Sequence, residues 1–245
     1  MKNIILKIFR YDPEKDSKPK FIEYEVPFQP KMRVLHAIRY VQENIDGTLT
    51  FRWNCGAGRC GSCAMEVNGF PRLTCKYEIT EDMKDLTITP MKVFPVIKDL
   101  LVDVSSMLQI AREIPPFSPK DTEEEFWKIM PEDVEDTKEF RKCIECYICQ
   151  DTCHVIRNHK SNYIGPRWVA KVASLDKHPM DSVNRSEFLN KRGIWLCNVT
   201  RCCQEVCPEH IKITENAIIP EKERIVTEHS PITALRRKLF GEKDE

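Results

Sequence analysis

Twelve cysteines give this sequence of 245 residues its most distinctive chemistry. They form three groups, at residues 55–75, 143–153 and 197–207. The N-terminus "MKNIILKIFRYDPEKD" has only a short apolar stretch, which Lys7 interrupts, and no small-residue cleavage site follows it. We therefore interpret it as a β-strand and not as a secretory signal. Without such a signal, so many cysteines indicate reduced thiolates that bind metal.

The first group consists of "CGAGRCGSC" and a cysteine that follows after eleven intervening residues, and it has the spacing of a plant-type [2Fe–2S] site. The candidate ligands are Cys55, Cys60, Cys63 and Cys75. Three of the chain's eight glycines lie in the same loop. Glycine permits positive φ angles and close backbone approach, so N–H groups can turn towards cluster sulfurs. A structural zinc site is the alternative, but zinc sites usually pair two short C-x2–4-C units across a longer loop.

The second and third groups follow the spacing of a bacterial ferredoxin run. "CIECYICQDTC" contributes Cys143, Cys146, Cys149 and Cys153. "CNVTRCCQEVCPEH" contributes Cys197, Cys203 and Cys207 in the same frame, and it ends in Cys-Pro as such a run does. Its second ligand position is occupied by Thr200, while Cys202 lies out of frame. We favour the interpretation that Cys202 is a small buried apolar residue, with a replacement ligand as the alternative.

In two-cluster ferredoxins the fourth cysteine of each run ligates the cluster of the other run. Applied to this chain, the rule predicts one cluster held by Cys143, Cys146, Cys149 and Cys207. It predicts a second cluster held by Cys153, Cys197 and Cys203, with Thr200 at the fourth corner. A cubane corner without a thiolate tends to lose its iron, so we expect [3Fe–4S] there. For His154 and His210, which adjoin cysteines, we expect surface or hydrogen-bonding roles.

The rest of the sequence predicts an α+β chain. Strands are indicated by "NIILKIF" and "FIEYEVPF", a hairpin by Asn68-Gly69, and a helix by the spacing of Val34, Ile38, Val41 and Ile45. A second helix is indicated by an apolar face of Leu100, Val104, Met107, Leu108 and Ala111. The prolines of "EIPPFSPKD" break the chain, and short helices follow in "TEEEFWKIM", "PRWVAKVASL" and "SEFLNKRG". We expect a mixed N-terminal domain, residues 1–98, and a helical C-terminal domain, residues 99–245.

Charge and hydropathy exclude some classes of partner. The chain has 38 basic and 38 acidic residues, so its net charge of zero gives no basic bias towards nucleic acid. No uncharged apolar run approaches the length of a membrane span, so we expect the chain to cross no bilayer.

These motifs together resemble the iron–sulfur subunit of succinate dehydrogenase and fumarate reductase. The resemblance covers essentially the whole chain, including "FRWNCGAGRCGSCAMEVNG" and "CPEHIKITENAIIPEKERI". It implies a β-grasp fold for the N-terminal plant-type domain and a bacterial-ferredoxin-like helical domain after it. It also implies three clusters in the order [2Fe–2S], [4Fe–4S], [3Fe–4S]. No residue of such a subunit acts on the dicarboxylate, so no catalytic residue is assigned.

The resemblance further implies the partners of the chain. Electrons would pass between FAD in a flavoprotein subunit and quinone in a membrane anchor that also carries haem. The complex would sit at the cytoplasmic face of the cell membrane. His154 stands where many ubiquinone-linked members have proline, "HVIRNHK" lacks their tryptophan, and Asn198 replaces a frequent histidine. The pattern is closer to menaquinone-linked relatives.

Two other functions compete with this interpretation. The first is an iron–sulfur subunit of a thiol-linked fumarate reductase, a class that usually adds a long cysteine-rich C-terminal region. No cysteine follows Cys207 here, so we expect the quinone-linked type. The second is a structural zinc-binding interaction protein. The direction of catalysis does not follow from the sequence, because cluster potentials depend on hydrogen bonding, charge and exposure.

Overall fold

The structure is a computed structural model that describes residues 2–121, 129–159 and 162–230. A mixed sheet lies in its N-terminal half. The five strands are β1 (Asn3–Arg10), β2 (Lys20–Pro27), β3 (Ala64–Val67), β4 (Phe70–Leu73) and β5 (Asp85–Thr89). Their order in the sheet is β2-β1-β5-β3-β4. β1 and β5 run parallel, with Leu6 opposite Leu86, and the other neighbours are antiparallel.

The apolar alternation of β1 explains how the sheet buries one face. Ile4, Leu6 and Ile8 lie in the core, whereas the residues between them point outwards. Helix α1 (Val34–Asn44) covers this face with Val34, Ile38 and Val41, as their spacing predicts. Ile45, which we expected on the same face, follows the end of the helix and is 49% exposed.

The hairpin predicted at Asn68-Gly69 joins β3 to β4. Asn68 has φ 51° and Gly69 has φ 78°, the left-handed geometry that a tight two-residue hairpin turn requires. The Asn68 side chain also accepts a hydrogen bond from the Thr87 N–H at 2.8 Å, which ties the turn to β5.

The helix predicted from the apolar face of residues 100–111 begins later than expected. Strands β6 (Val96–Lys98) and β7 (Leu101–Val102) form a small hairpin first, and α2 spans Ser105–Glu113. Leu100 is buried against the main sheet, while Leu108 is 57% exposed. The Asp99 carboxylate causes the difference, because it accepts hydrogen bonds from Arg10 and from the Thr50 N–H and so holds this segment against the sheet.

Short helices and turns make up the rest of the described chain. They are α3 (Pro131–Lys138), α4 (Ile148–Thr152), α5 (His154–His159), α6 (Pro166–Asp176), α7 (Ser186–Lys191), α8 (Cys202–Glu205) and α9 (Ile219–His229). A π-turn at Thr214–Ile218 leads into α9. The helices predicted in "PRWVAKVASL" and "SEFLNKRG" and the break at the prolines are confirmed. The helix predicted in "TEEEFWKIM" lies almost wholly outside the described residues.

Among the residues that the structure describes, two clusters of buried side chains form the interior. One fills the space between the sheet and α1. The other lies mainly among the short helices and contains Cys146, Cys149, Cys153 and Cys203, together with Cys63 and Cys75 of the first group. Phe51 packs against both clusters. The α+β layout is therefore confirmed, whereas the domain boundary between residues 98 and 99 stays a prediction. No helix in the described part of the chain is long and apolar enough to cross a membrane.

Candidate iron–sulfur sites

The first site is built on the loop that leads into β3. Gly56, Gly58 and Gly61 have φ between 65° and 75°, which coils the backbone around the cysteines. Backbone N–H groups turn towards sulfur as a result. The Arg59 N–H donates to Cys55 Sγ at 3.2 Å, and the Ala57 N–H donates to the same atom at 3.4 Å. Donors of this kind stabilise cluster thiolates and tune their potential.

The thiols of the first site differ in their surroundings. Cys63 and Cys75 are buried and Cys55 is exposed, so one edge of the site opens to the surface. Burial raises the pKa of Cys75 to about 12, and the neighbouring Cys63 adds to the effect. Burial also acts on Cys60, but hydrogen bonds from the Cys55 N–H and from Ser62 outweigh it and lower the pKa of Cys60 to about 6. The loop is therefore suited to hold a thiolate at Cys60.

The second site is a small, largely apolar cavity. Four cysteines line it: Cys143, Cys146, Cys149 and Cys207. Burial raises the pKa of Cys146 to about 12 and that of Cys149 well above its ordinary value. As free thiols these groups are protonated at neutral pH, so iron binding displaces their protons. Arg167 also lines the cavity and pairs with Glu145 at 2.6 Å, which places a positive charge beside the four thiols.

The third site is a second small cavity. Four cysteines line it, Cys153, Cys197, Cys202 and Cys203, together with Thr200. The Thr200 hydroxyl donates to Cys202 Sγ at 3.5 Å and lies 3.5 Å from His154 Nδ1. Cys202 is half-buried at this cavity and not fully buried as we expected, and its side chain lines the cavity with the other three cysteines. The reason is the helix start: α8 begins at Cys202 and turns its side chain to the cavity.

The two cavities exchange cysteines between the central run, residues 143–153, and the C-terminal run, residues 197–207. Cys207 lies with the first three cysteines of the central run, and Cys153 lies with Cys197 and Cys203. Each donor set consists of thiols in a largely apolar enclosure, which is the chemistry that iron–sulfur clusters require.

Comparison with known proteins identifies the two halves of the chain. Residues 5–109 match a family described as a 2Fe-2S iron-sulfur cluster binding domain. Residues 139–211 match a 4Fe-4S dicluster domain. The chain is 32% identical over 219 residues to the fumarate reductase iron-sulfur subunit of Mycobacterium tuberculosis, covering 86% of this chain and 88% of that subunit. It belongs to the family of iron–sulfur subunits of succinate dehydrogenase and fumarate reductase.

Two further relatives of this iron–sulfur subunit extend the comparison. A chain of the Mycobacterium smegmatis Sdh1 complex in the apo form superposes with a TM-score of 0.88 at 43% identity, covering 94% of this chain and 99% of that one. One subunit of the CoM/CoB fumarate reductase of Methanothermobacter marburgensis is 34% identical over 215 residues, or 88% of this chain. The chain spans only 43% of that relative's length. The iron–sulfur subunit thus transfers electrons within an oxidoreductase complex and carries 2Fe–2S and 4Fe–4S chemistry.

The iron–sulfur subunit also has site residues that sequence spacing did not predict. A Cβ added to Gly61 would lie 2.7 Å from Cys146 Cα and 2.8 Å from the Ile144 carbonyl oxygen. The loop of the first site therefore touches the backbone of the second site. Thr214 Oγ1 lies 3.7 Å from Cys203 Sγ. No motif spacing identifies these contacts, because each joins a residue of a cysteine run to one outside that run.

Proposed function

We propose that this chain relays electrons between FAD in a flavoprotein subunit and quinone in a membrane anchor. The observation that carries the proposal is the exchange of Cys153 and Cys207 between two cavities, because it supplies two separate donor sets for clusters in one small unit. When bound, the clusters would carry electrons one at a time. The protein holds the clusters in line and shields them from water.

The proposed ligands follow from the three donor sets. Cys55, Cys60, Cys63 and Cys75 would hold [2Fe–2S], and Cys143, Cys146, Cys149 and Cys207 would hold [4Fe–4S]. Cys153, Cys197 and Cys203 would hold [3Fe–4S]. Thr200 supports the last assignment, because a neutral hydroxyl does not replace the soft thiolate that a fourth iron needs.

The contacts among the sites support a linear relay. Gly61 brings the first site against the second, and the nearness of Cys203 adds to the raised pKa of Cys149, so the second and third sites are neighbours. Cys55 is exposed at one end. At the other end Trp195 and Leu196, just before Cys197, are 44% and 48% exposed. We infer that the flavoprotein docks at the first site and the anchor at the third.

The finer identity of the partners rests on the sequence differences near the third site. His154, Asn198 and the absence of a tryptophan in "HVIRNHK" support menaquinone and an anchor with haem. We propose that the chain is peripheral, at the cytoplasmic face of the cell membrane. The sheet order, with β1 and β5 parallel under α1, supports a β-grasp fold for the N-terminal domain, which we propose to span residues 1–98. The two cavities that share cysteines of the central and C-terminal runs support a bacterial-ferredoxin-like domain, which we propose to span residues 99–245.

A thiol-linked fumarate reductase is the second candidate function, because the Methanothermobacter marburgensis relative matches 88% of this chain. Purification of the intact complex separates the two. A quinone-linked complex should oxidise menaquinol with fumarate and ignore thiols, whereas a thiol-linked complex should do the reverse.

Two substitutions in the intact complex test the ligand assignment. Cys207→Ser should disturb the electron-spin-resonance signal of reduced [4Fe–4S] and spare that of [2Fe–2S]. Cys153→Ser should instead remove the three-iron signal of the oxidised complex. Selective loss of the three-iron signal in Cys207→Ser would show that the crossover is wrong. Iron and acid-labile sulfide should both be present, whereas zinc without sulfide would leave only the zinc-protein hypothesis.

A further inference from the structure

We propose that Cys202 is a latent fourth ligand, through which the third site takes up ferrous iron and becomes a four-iron site. The inference rests on the proposed three-iron assignment and adds a metal position to it. Four thiols already line this cavity, although only three of them are in the frame of the motif.

The backbone of the C-terminal run shows where a fourth ligand of the third site would lie. In the central run, Glu145 and Tyr147 adopt positive φ of 55° and 60° on either side of Cys146. In the C-terminal run, Val199 and Arg201 adopt positive φ of 61° and 64° on either side of Thr200. The two loops have the same shape, so the Thr200 side chain occupies the place of a ligand.

Cys202 lies beside that place. Its Sγ is 3.5 Å from the Thr200 hydroxyl, so a change of side-chain rotamer is enough to bring the sulfur to the corner. The cavity also has an entry route, because Thr200 is exposed and Cys202 is half-buried.

The uptake of iron balances without further reactants. One electron, which the dehydrogenase reaction or dithionite supplies, converts the oxidised [3Fe–4S]⁺ core to the neutral core. That core binds Fe²⁺ and becomes [4Fe–4S]²⁺, since no other electron is transferred. The Cys202 S–H bond breaks, its sulfur bonds to the incoming iron, and the proton leaves to solvent. Thiolate is the donor that iron prefers here, whereas the Thr200 hydroxyl stays protonated and releases its position.

The experiment uses the intact complex under nitrogen. The complex is reduced with dithionite, incubated with excess ⁵⁷Fe²⁺, desalted, and reoxidised with a quinone. We expect the wild type to lose its three-iron resonance signal and to retain one ⁵⁷Fe per complex, measured by Mössbauer spectroscopy and isotope-resolved mass spectrometry. Cys202→Ser and Cys202→Ala should keep the three-iron signal and retain no ⁵⁷Fe.

Two control variants complete the test. Thr200→Cys provides the spectrum of a four-iron third site. His154→Gln should still take up iron, because the imidazole, although near Thr200, is not the proposed ligand. The proposal is overturned if the wild type keeps its three-iron signal, or if the Cys202 variants take up ⁵⁷Fe as the wild type does. It is also overturned if His154→Gln alone abolishes uptake.

The resonance spectrum before iron is added distinguishes failure of this proposal from failure of the three-iron assignment on which it rests. If oxidised Cys202→Ala shows no three-iron signal, the three-iron assignment fails and the Cys202 proposal fails with it. If the wild type lacks the signal and Cys202→Ala gains it, Cys202 already ligates a fourth iron, which overturns both the three-iron assignment of the wild type and the latent role of Cys202.

Discussion

The central and C-terminal runs have nearly the same backbone but different chemistry. In each run a short turn ends at the first cysteine, whose N–H bonds three residues back at 3.2 Å (Cys143 to Phe140, Cys197 to Ile194). A helix then starts five residues after that cysteine, at Ile148 and at Cys202. The shape of a cluster loop is thus held by the backbone and does not depend on the residue at its second ligand position.

The surroundings of the two runs differ more than their backbones. The central run lies against the N-terminal half, through Gly61 and through an Asp151 carboxylate that accepts a hydrogen bond from the Val93 N–H. The C-terminal run lies against the π-turn and α9, where Thr214 donates its N–H to Gln204 and Lys222 bonds the Cys197 carbonyl. One run therefore has a middle position, while the other reaches the exposed end with Trp195.

The chemical difference between the two runs should disappear if both carry a cysteine at the second ligand position. Thr200→Cys places a thiol where Cys146 stands in the central run, and a thiolate there holds a fourth iron. We expect the three-iron signal of the oxidised complex to disappear, a new signal to appear only on reduction, and electron exchange with quinone to slow.

Thr200→Val is the matched control, because it removes the hydroxyl without adding a ligand, and it should keep the three-iron signal. Persistence of that signal in Thr200→Cys would mean that residue 200 does not decide the type of cluster.

The middle position of the central run can be tested at Gly61. Gly61→Ala places a Cβ at φ 69°, at a strain cost of about 1–2 kcal/mol, and against Cys146 Cα and the Ile144 carbonyl. The loop must then move away from the second site. We expect weaker magnetic interaction between the reduced first and second clusters, measured as narrower resonance lines, and slower electron transfer between them.

Gly56→Ala is the control for Gly61→Ala. Gly56 has a similar φ of 65°, but its added Cβ would meet nothing within 4 Å. It should carry the strain cost alone and leave the magnetic interaction intact. Equal effects of the two variants would show that strain, and not the contact with Cys146, matters in this loop.

The anchoring of the central run predicts a difference in stability. Asp151 is fully buried, pairs with Arg157 at 3.2 Å, and shares that arginine with Glu66 of β3. Its counterpart in the C-terminal run, Glu205, is exposed. Asp151→Ala should cost about 1–3 kcal/mol, because the Val93 N–H loses its acceptor, whereas Arg157 keeps Glu66 as a partner. Glu205→Ala should stay within about 0.5 kcal/mol.

Thermal loss of cluster absorbance in the two variants measures this difference. A midpoint several degrees lower in Asp151→Ala and unchanged in Glu205→Ala is expected. Similar midpoints would contradict the view that the Asp151 carboxylate fastens the central run to the sheet.

Local patterns account for much of the fold and for the grouping of the cysteines. β1, β2, α1 and the Asn68-Gly69 hairpin each follow from periodicity or turn chemistry within a few residues. The start of α2 does not, because the Asp99 carboxylate that displaces it bonds Arg10 and Thr50, far away in the sequence. The orientation of Cys202 could not be predicted from the sequence for a similar reason, because it depends on where α8 starts relative to the cavity.

The smallest expected effect concerns a hydrogen bond that the third site receives from the π-turn. Thr214 Oγ1 lies 3.7 Å from Cys203 Sγ, and when that sulfur is a thiolate ligand the hydroxyl must be the donor. Donors to ligand sulfurs stabilise the reduced, more negative cluster and raise its reduction potential. Thr214→Val keeps the shape and removes the donor, so the potential should fall. A net hydrogen bond of about 1 kcal/mol corresponds to about 40 mV for a one-electron couple. Thr214→Ser, which retains the hydroxyl, should leave the potential near that of the wild type. A redox titration of the three-iron signal checks both values, and equal potentials in all three proteins would show that this hydroxyl does not tune the site.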